Sequence, residues 1–435
     1  MVVVVKFGGS SMANAGQFEK VKKIVNANED RKIVVVSAAG KRNSEDTKLT
    51  DLLFLLHAHL KYQVSYSNVM NMIENRFFDI KKELNLKFDL EGELNDLKSK
   101  LNKNTNQDFL VSRGEYITAK LMSEYLGYTF VDAKDLIFFN YDGSFNFAKI
   151  KEATKEAYQK YGKIIVPGFY GSLPDGNIKL LSRGGSDITG SLLAAAVDAA
   201  KYENWTDVSG VLMADPRIVK NPKGINQITY SELRELSYMG ASVLHQETVF
   251  PVQQANIPIN ILNTNKADDP GTIIMENCTD KTQIITGIAG KKDFTSFTIH
   301  RDHISDQVGI VRDALDVFAK YNISIEHVPT GIDNFSVVVA TADVEKCMYD
   351  LIHDLNERIK GSTVEIDDGI ALIAVVGRNM ASKPGISGQI FGVLGENGIN
   401  IKMIAQGARE LTIIVGVLNS DFEKTINTIY NHFVK

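Results

Sequence analysis

The stretch Val2-Val3-Val4-Val5-Lys6-Phe7-Gly8-Gly9-Ser10-Ser11, at residues 2–11, sets the architecture of this chain. Four consecutive β-branched residues favour a buried strand. Lys6 stands at the carboxyl end of that strand, where open α/β sheets bind their ligands. Gly8-Gly9 allows a sharp turn that brings backbone N–H groups close to an anion, and Ser10-Ser11 can cap the helix that follows. The stretch predicts a phosphate cradle with one fixed positive charge; a tight turn with a solvated lysine is the plain alternative.

A second glycine turn with a cation occurs far downstream, at Ser182-Arg183-Gly184-Gly185-Ser186-Asp187. The small, apolar run 188–197 after it predicts a helix, with Ser186 or Asp187 as its N-cap. The paired glycines again deliver backbone donors to a helix start. Arg183 offers a planar fork suited to a carboxylate or a phosphate, although an arginine beside a loop can also be purely structural. Two such turns in one chain favour ligand binding over the structural alternative.

Size and composition narrow the class of protein. The chain has 435 residues, which suggests two or three domains, and 44% hydrophobic with 23% charged residues is ordinary for a soluble globular protein. The net charge of −5 gives no electrostatic reason to expect nucleic acid or an anionic membrane as the main partner. Cys278 and Cys347 are the two cysteines, which fits a reducing compartment and excludes a cysteine-rich metal site. No apolar run is long enough to span a bilayer, so we expect a cytoplasmic enzyme.

Strands and helices alternate from Met1 to about Asn277. The runs 33–40, which ends in small residues, 164–169 and 257–262 predict further buried strands, and this alternation predicts a mostly parallel sheet between helices. The segment 49–103 is helical in pattern and rich in charge, which we interpret as mostly solvated helix surface.

The last third of the chain repeats itself. Gly309-Ile310 recurs as Gly385-Ile386, 76 residues later, and the segments 322–325 and 335–339 recur at the same offset. Each copy reads as strand, glycine loop, amphipathic helix, strand, turn and strand, which predicts a small α+β module present twice with its sheets side by side. A duplicated module after a catalytic-looking domain suggests regulation.

Arg113-Gly114-Glu115 opens a predicted helix over Tyr116–Leu126. A glutamate at a helix N-terminus is favoured by the macrodipole, which is its structural explanation. Its functional interpretation is a carboxylate that holds an ammonium group. With Arg183, Glu115 would then form a clamp for the α-amine and the α-carboxylate of an amino acid.

These motifs, together with Thr206-Asp207-Val208-Ser209-Gly210 and Ala214-Asp215-Pro216-Arg217, resemble those of the single-function aspartokinases and occur in the same order. The duplicated module resembles the paired ACT domains of that family. The resemblance implies an amino-acid kinase domain at 1–280, with a mostly parallel sheet between helices. Two ferredoxin-like α+β ACT domains would follow, at 285–362 and 368–435, and whether they exchange strands stays open.

The resemblance implies ATP-dependent phosphorylation of the side-chain carboxylate of L-aspartate to 4-phospho-L-aspartate, the first step toward lysine, threonine and methionine. No general base is needed, because the attacking carboxylate is ionised at neutral pH. Mg²⁺ would arrive with ATP, held mainly by phosphates and water, and no side chain is assigned to it. A related kinase acting on glutamate and a non-catalytic amino-acid-sensing subunit are the alternatives.

The implied site residues fall into three overlapping groups. Lys6 would neutralise the transferring phosphoryl group, Glu115 would hold the substrate ammonium, and Arg183 its α-carboxylate. The catalytic positions are Lys6, Glu115, Arg183 and Asp187; the aspartate pocket is Ser37, Thr50, Glu115, Arg183 and Ser186; the ATP positions are Lys6, Gly8, Gly9, Ser10, Thr206, Asp207 and Arg217. Two departures bear on nucleotide affinity or purine preference: Leu212 stands where the family has an aromatic residue, and Ser242 where it has a lysine. We interpret His245 as structural.

The ACT-like pair is expected to bind an end-product amino acid and to inhibit the kinase. Its implied effector positions are Ile304, Gln307, Gly309, Ile310, Glu326 and His327. Lysine is the favoured effector, because the helical insert after Thr50 resembles that of lysine-sensitive forms, and threonine is the alternative. Edge-to-edge pairing of the ACT sheets would make a homodimer or a dimer of dimers.

Overall fold

The computed structural model describes residues 1–182, 184–241, 244, 246–278, 283–304, 308–380, 383–407 and 411–434. The chain forms two compact units. The first comprises Met1–Val211, Gly224–Tyr230 and Val243–Cys278, and the second comprises Leu212–Lys223, Ser231–Ser242 and Thr279–Lys435. Two short segments before residue 280 therefore group with the C-terminal part, and both repeats belong to one unit. The division into three domains stays a prediction.

The first unit is built on an eight-stranded sheet in the order β3-β4-β2-β1-β7-β9-β10-β8, with β5 and β6 as a separate hairpin. All neighbouring strands of this sheet are parallel except β9 and β10. The strands are β1 (Val3–Phe7), β2 (Arg31–Val36), β3 (Thr129–Phe130), β4 (Ile164–Pro167), β5 (Tyr170–Ser172), β6 (Ile178–Leu180), β7 (Lys201–Thr206), β8 (Gln227–Thr229), β9 (Ile259–Asn263) and β10 (Thr272–Met275). The predicted mostly parallel sheet is confirmed, and β1, buried at every residue, lies at its centre.

Helices connect these strands. They are α1 (Ala15–Asn26), α2 (Leu49–Lys61), α3 (Ser67–Glu83), α4 (Leu90–Ser99), α5 (Gln107–Leu126), α6 (Phe147–Tyr161), α7 (Gly185–Ala196), α8 (Tyr230–Tyr238) and α9 (Gln246–Gln254). From Ser231 onward, α8 groups with the second unit. The charge-rich insert forms α2, α3 and α4, and each of these three helices buries an apolar face in the core of the first unit. Among the described residues, none of the helices has the length and apolar character needed to cross a bilayer.

Three predicted helix starts are wrong. α5 begins at Gln107, where the Asn106 side chain accepts from the Phe109 N–H, so Glu115 lies in the middle of the helix, where the macrodipole argument does not apply. α7 begins at Gly185 after Gly184, whose φ of 75° suits glycine, rather than at a Ser186 or Asp187 cap. The chain after β1 makes a short 3-10 helix at Gly9–Met12, and Asn14 rather than Ser10-Ser11 caps α1.

The second unit has one six-stranded antiparallel sheet in the order β12-β13-β11-β14-β16-β15. Its strands are β11 (Gly287–His300), β12 (Ile325–His327), β13 (Asn334–Ala340), β14 (Thr363–Val376), β15 (Met403–Gln406) and β16 (Thr412–Leu418), and its helices are α10 (Ile310–Lys320), α11 (Thr341–Val344), α12 (Met348–Arg358), α13 (Ile386–Glu396) and α14 (Phe422–Phe433). The predicted α+β fold of this region is confirmed. The repeat is visible in Gly309 and Gly385, which have φ of 90° and 89° and begin α10 and α13.

Two long strands join the repeats. β11 and β14 pair antiparallel over nearly their whole lengths, while the second half of β11 also pairs with β13 and the second half of β14 with β16. Each long strand therefore serves both repeats in a single sheet. The segment 231–242 is fastened to this unit by the buried Glu232, which forms an ion pair of 3.0 Å with Arg378 and accepts from the Thr286 hydroxyl at 2.5 Å.

Candidate active site

An ion pair between a buried lysine and a partly buried aspartate lies at the carboxyl end of the central strand. Lys6 Nζ is 2.6 Å from Asp187 Oδ1, and their side chains are 9% and 17% exposed. Lys6 comes from β1, and Asp187 comes from the first turn of α7. The Asn204 amide donates to the same Asp187 oxygen at 2.9 Å, and its Oδ1 accepts from Lys6 Nζ at 3.3 Å. The lysine charge is therefore held at one position by two neighbours.

Asn204 is a site residue that the sequence analysis missed. It lies on β7 directly beside Lys6 in the parallel register of β1 and β7. The sequence carries one signal for this residue. Glu203 and Asn204 are polar residues in the buried part of a strand, and buried polar groups need partners. Glu203 has a structural role, because its carboxylate accepts hydrogen bonds from the Arg31 guanidinium and from the Trp205 indole, each at 2.9 Å. That leaves Asn204 as the polar residue of β7 that contacts the ion pair.

Glu115 supplies a buried carboxyl group. Gly114 lets α5 approach the loop after β2, since a Cβ there would lie 3.0 Å from the side chains of Ala38 and Leu53. The Ala38 N–H hydrogen-bonds to the Glu115 carboxylate, while Glu115 Oε2 is buried without a hydrogen-bond partner among the described residues. Burial raises the pKa of Glu115 to about 8, against the opposing effects of the Ala38 hydrogen bond and the Arg113 charge. An unpartnered acceptor of this kind is suited to an ammonium group.

One cavity of about 730 Å³ brings most of the predicted residues together. Its lining includes the ion pair and Glu115. The other predicted residues on its wall are Gly9, Ser10, Ser37, Thr50, Ser186 and Asp207. Residues predicted separately for the aspartate pocket and for the nucleotide thus meet in a single space of the first unit.

Four predicted site residues are not among those described on this wall. Arg183 lies outside the described residues. The Gly8 N–H donates to the Trp205 carbonyl at 3.0 Å, so it is not available to a phosphate. Thr206 donates its hydroxyl to Asp207 at 3.1 Å. Arg217 belongs to the second unit, where its 87% exposed side chain pairs with Asp215.

Two loops on the cavity wall are in direct backbone contact. The Gly40 N–H donates to the Gly9 carbonyl at 2.8 Å, and a Cβ on Gly40 would lie 2.5 Å from the Gly9 backbone. This contact joins the loop after β1 to the loop after β2. Glycine is required at position 40, because any side chain there would separate the loops.

The second unit holds the residues predicted for the effector. The side chains of Ile304 and Ile310 pack in its hydrophobic core, so only their backbone groups could face a ligand. The Glu326 carboxylate accepts from the Tyr238 hydroxyl at 2.7 Å, and burial lowers the pKa of His327. Gln307, like Ser242 and His245, lies outside the described residues. The assignment of an effector to these positions stays a prediction.

Comparison with known proteins identifies the family. Residues 1–263 match the amino acid kinase family, and residues 373–433 match an ACT domain. Aspartokinase 3 of Bacillus subtilis is 35% identical over an alignment of 445 residues, gaps included, which covers 99% of this chain and 98% of that protein. This chain belongs to the aspartokinase family. The enzyme is therefore an aspartate kinase, as the motifs implied, and the glutamate kinase and the non-catalytic sensor are not favoured.

Solved structures agree over the whole length. The aspartate kinase of Clostridium acetobutylicum is 44% identical, with a TM-score of 0.92 over 99% of both chains. Aspartokinase III of Escherichia coli is 25% identical and matches over 100% of both chains. Its TM-score is 0.74 for the complex with aspartate and ADP and 0.76 for the complex with lysine and aspartate.

The raised pKa of Glu115 predicts a pH-dependent stability. A folded-state pKa of about 8 against an ordinary 4.5 means that the folded enzyme keeps a proton that the unfolded chain has released between these values. This contribution to stability is complete below about pH 4.5 and is lost as pH rises through 8. We expect Glu115→Gln, which does not titrate, to gain in Tm relative to the wild type as pH rises from about 5 to about 8.5 without substrates.

The control for this measurement is Glu91→Gln. Glu91 is an exposed carboxylate on α4 whose pKa is lowered by the Lys81 hydrogen bond. Its variant should show no gain over the same pH range. A Tm difference between Glu115→Gln and the wild type that stays constant with pH would contradict the buried, proton-holding state of Glu115.

Proposed function

We propose that the cavity of the first unit binds L-aspartate and ATP and transfers the γ-phosphoryl group to the aspartate side-chain carboxylate. One observation carries this proposal. Lys6, with its fixed ammonium, and Glu115, whose carboxyl group has one oxygen without a hydrogen-bond partner among the described residues, line the same cavity. A phosphoryl group needs the first, and a free α-amine needs the second.

Lys6 acts by electrostatic stabilisation. Phosphoryl transfer relies mainly on positioning and on neutralising the charge of the phosphoryl oxygens. Lys6 donates to an oxygen of the transferring group, while Asp187 and Asn204 hold its ammonium in place, so no reorganisation is needed during the reaction. An aspartate carboxylate oxygen forms the new bond to phosphorus, the bond from phosphorus to the β,γ-bridging oxygen breaks, and ADP leaves with that electron pair. Asp187 therefore positions the lysine and abstracts no proton.

Glu115 selects and orients the amino acid. Binding of the substrate ammonium at Oε2 would supply the positive charge that the buried carboxyl lacks and would favour its ionised form. Ser37, Thr50 and Ser186 line the cavity and can bind the remaining polar groups of aspartate. Arg183 is proposed as the partner of the α-carboxylate on the strength of its motif.

ATP would enter along Gly9 and Ser10, with Mg²⁺ as its counterion. The described residues contain no group of three or more His, Cys, Asp or Glu arranged to hold a metal ion. Besides Glu115, the carboxylates of the cavity wall are Asp187 and Asp207, and one oxygen of Asp187 is already shared by Lys6 and Asn204. This donor set fits an ion held mainly by phosphates and water, with a carboxylate oxygen from Asp207. When bound, Mg²⁺ neutralises phosphate charge.

Trapping with hydroxylamine tests the reaction, because hydroxylamine converts an acyl phosphate into a hydroxamate. We expect hydroxamate from L-aspartate and Mg-ATP, and a rate at least about a hundredfold lower with N-acetyl-L-aspartate, which lacks the ammonium that Glu115 binds. L-glutamate serves as the matched control for side-chain length. Hydroxamate formed equally well from glutamate or from the acetylated substrate would contradict this use of the cavity.

We further propose that the second unit binds lysine, with threonine as the alternative effector, and that the enzyme is a cytoplasmic homodimer or dimer of dimers. The described loop end at Gly309 supports a ligand site, because it presents the first backbone N–H groups of α10. The complex of Escherichia coli aspartokinase III with lysine supports the choice of lysine.

Two strands offer edges for pairing with a second copy. They are β12 and β15, the outer strands of the sheet. The chain has two cysteines in 435 residues, which fits a reducing compartment.

A matched pair of variants tests the effector site. Gly309→Ala and Gly385→Ala introduce the same strain, about 1–2 kcal/mol, because both glycines have φ near 90° at a helix start. We expect lysine to suppress hydroxamate formation by the wild type and by Gly385→Ala, and to lose its effect on Gly309→Ala. Light scattering should show a dimer or a larger assembly. Indifference of the wild type to lysine, or a monomer with and without lysine, would contradict this proposal.

A further inference from the structure

A buried arginine stands in the charge-rich insert. Arg76 lies on α3 with only 2% of its surface exposed, next to the core residues Ile73, Phe77 and Ile80. A guanidinium in such a place is costly unless it is paired and hydrogen-bonded. The partners of Arg76 therefore show why a cation is placed there.

All three hydrogen-bond partners of Arg76 belong to the loop 37–48 between β2 and α2. Its Nη1 donates to the Gly40 carbonyl at 2.6 Å, and its Nη2 donates to Asp46 Oδ1 at 2.8 Å and to the Thr47 carbonyl at 3.0 Å. One side chain thus joins the beginning of the loop to its end.

Asp46 makes this connection ionic. Its carboxylate also accepts from the backbone N–H and the Nε of Arg42. Burial acts to raise the pKa of Asp46, but the hydrogen bonds from Arg42 and the charges of Arg76 and Arg42 outweigh it and hold that pKa at about 2. The pair stays charged throughout the neutral range.

The same loop forms one wall of the catalytic cavity. Ser37, Lys41, Asn43 and Lys48 line the cavity, as does Gly40. The backbone of Gly40 is held from two sides, because its N–H donates to the Gly9 carbonyl and its own carbonyl accepts from Arg76. Arg76 is not among the described residues of that wall, so its effect on the cavity must pass through the loop.

Apolar packing holds only the beginning of the loop, where Ala38 and Ala39 are buried in the core, whereas residues 41–45 are exposed. A second cavity of about 400 Å³ is lined by Arg42 and Arg76, with Asp79 and Glu83 also on its wall. Side chains over a cavity lack the dense contacts that fix a buried segment. Beyond its buried beginning, the loop is therefore positioned by hydrogen bonds, those from Arg76 among them, rather than by apolar packing.

We propose that Arg76 is a positioning residue for aspartate, which fixes the substrate wall of the cavity by tying Gly40, Asp46 and Thr47 together. This inference rests on the proposed function, because it takes the cavity to be the aspartate site. Loss of the tie would misplace residues that bind aspartate and leave the Lys6 centre, on β1, β7 and α7, in place.

Steady-state kinetics of Arg76→Met with the full-length enzyme test this role. We expect the KM for aspartate to rise by between about tenfold and about a hundredfold, while kcat changes by less than about threefold and the KM for ATP stays near the wild-type value. Arg76→Lys, which keeps the charge and fewer hydrogen bonds, should fall between the wild type and Arg76→Met. Hydrogen exchange should be faster at the amides of residues 41–48 in Arg76→Met.

Two further variants separate positioning from damage to the fold. Arg76→Met combined with Asp46→Asn removes the orphaned carboxylate charge, and it replaces the single variant if that one does not fold. Ile73→Ala, one turn earlier on α3, destabilises the same helix without removing a hydrogen bond to the loop and should leave the KM for aspartate unchanged. An unchanged KM in the folded Arg76 variant, or an equal rise in Ile73→Ala, overturns the inference. A wild-type enzyme with no aspartate-dependent hydroxamate would instead overturn the proposed function.

Discussion

The structure of the catalytic unit depends on the ion pair between the Lys6 ammonium and the Asp187 carboxylate. A lysine in the centre of a parallel sheet would be costly alone, and the carboxylate at 2.6 Å offsets much of that cost. The pairing also fixes geometry, because it brings the end of β1 to the first turn of α7, and Asn204 adds β7 to the same point. The first strand of the chain therefore meets α7 and β7, which lie far along the sequence, where the cavity begins.

The two ionisable groups of the cavity, Lys6 and Glu115, differ in whether they have a partner of opposite charge before a ligand binds. Lys6 has its counterion in place before any ligand arrives. Glu115 has none at Oε2, and burial favours its protonated form. A substrate amino acid with a side-chain carboxylate would supply a positive ammonium group to Glu115. It would present that carboxylate, the nucleophile, to Lys6. In the proposed site, aspartate binding would be coupled to ionisation of Glu115, and this coupling would select a free amine.

The sequence predicts well wherever the signal is local. The valine run and the glycines around Lys6 predicted the central strand and the position of its charge, and the 76-residue repeat predicted the α+β fold of the second unit. Three features depend on contacts that no local pattern reports. Asn204 is identified by its register beside Lys6, Glu115 lies in mid-helix because Asn106 caps α5 earlier, and Arg76 looks like solvated helix charge until its partners in the loop are known.

A double-mutant cycle on kcat/KM tests whether Asp187 acts through Lys6. Lys6→Met and Asp187→Asn should each lower kcat/KM with aspartate by roughly 10²–10³-fold, the scale of losing one preorganised charge. If Asp187 serves to hold the lysine, the double variant should lose about as much as the worse single variant, because the two residues act as one unit. Losses that multiply in the double variant would show that the two residues act independently, and would contradict the ion pair as the organising element of the site.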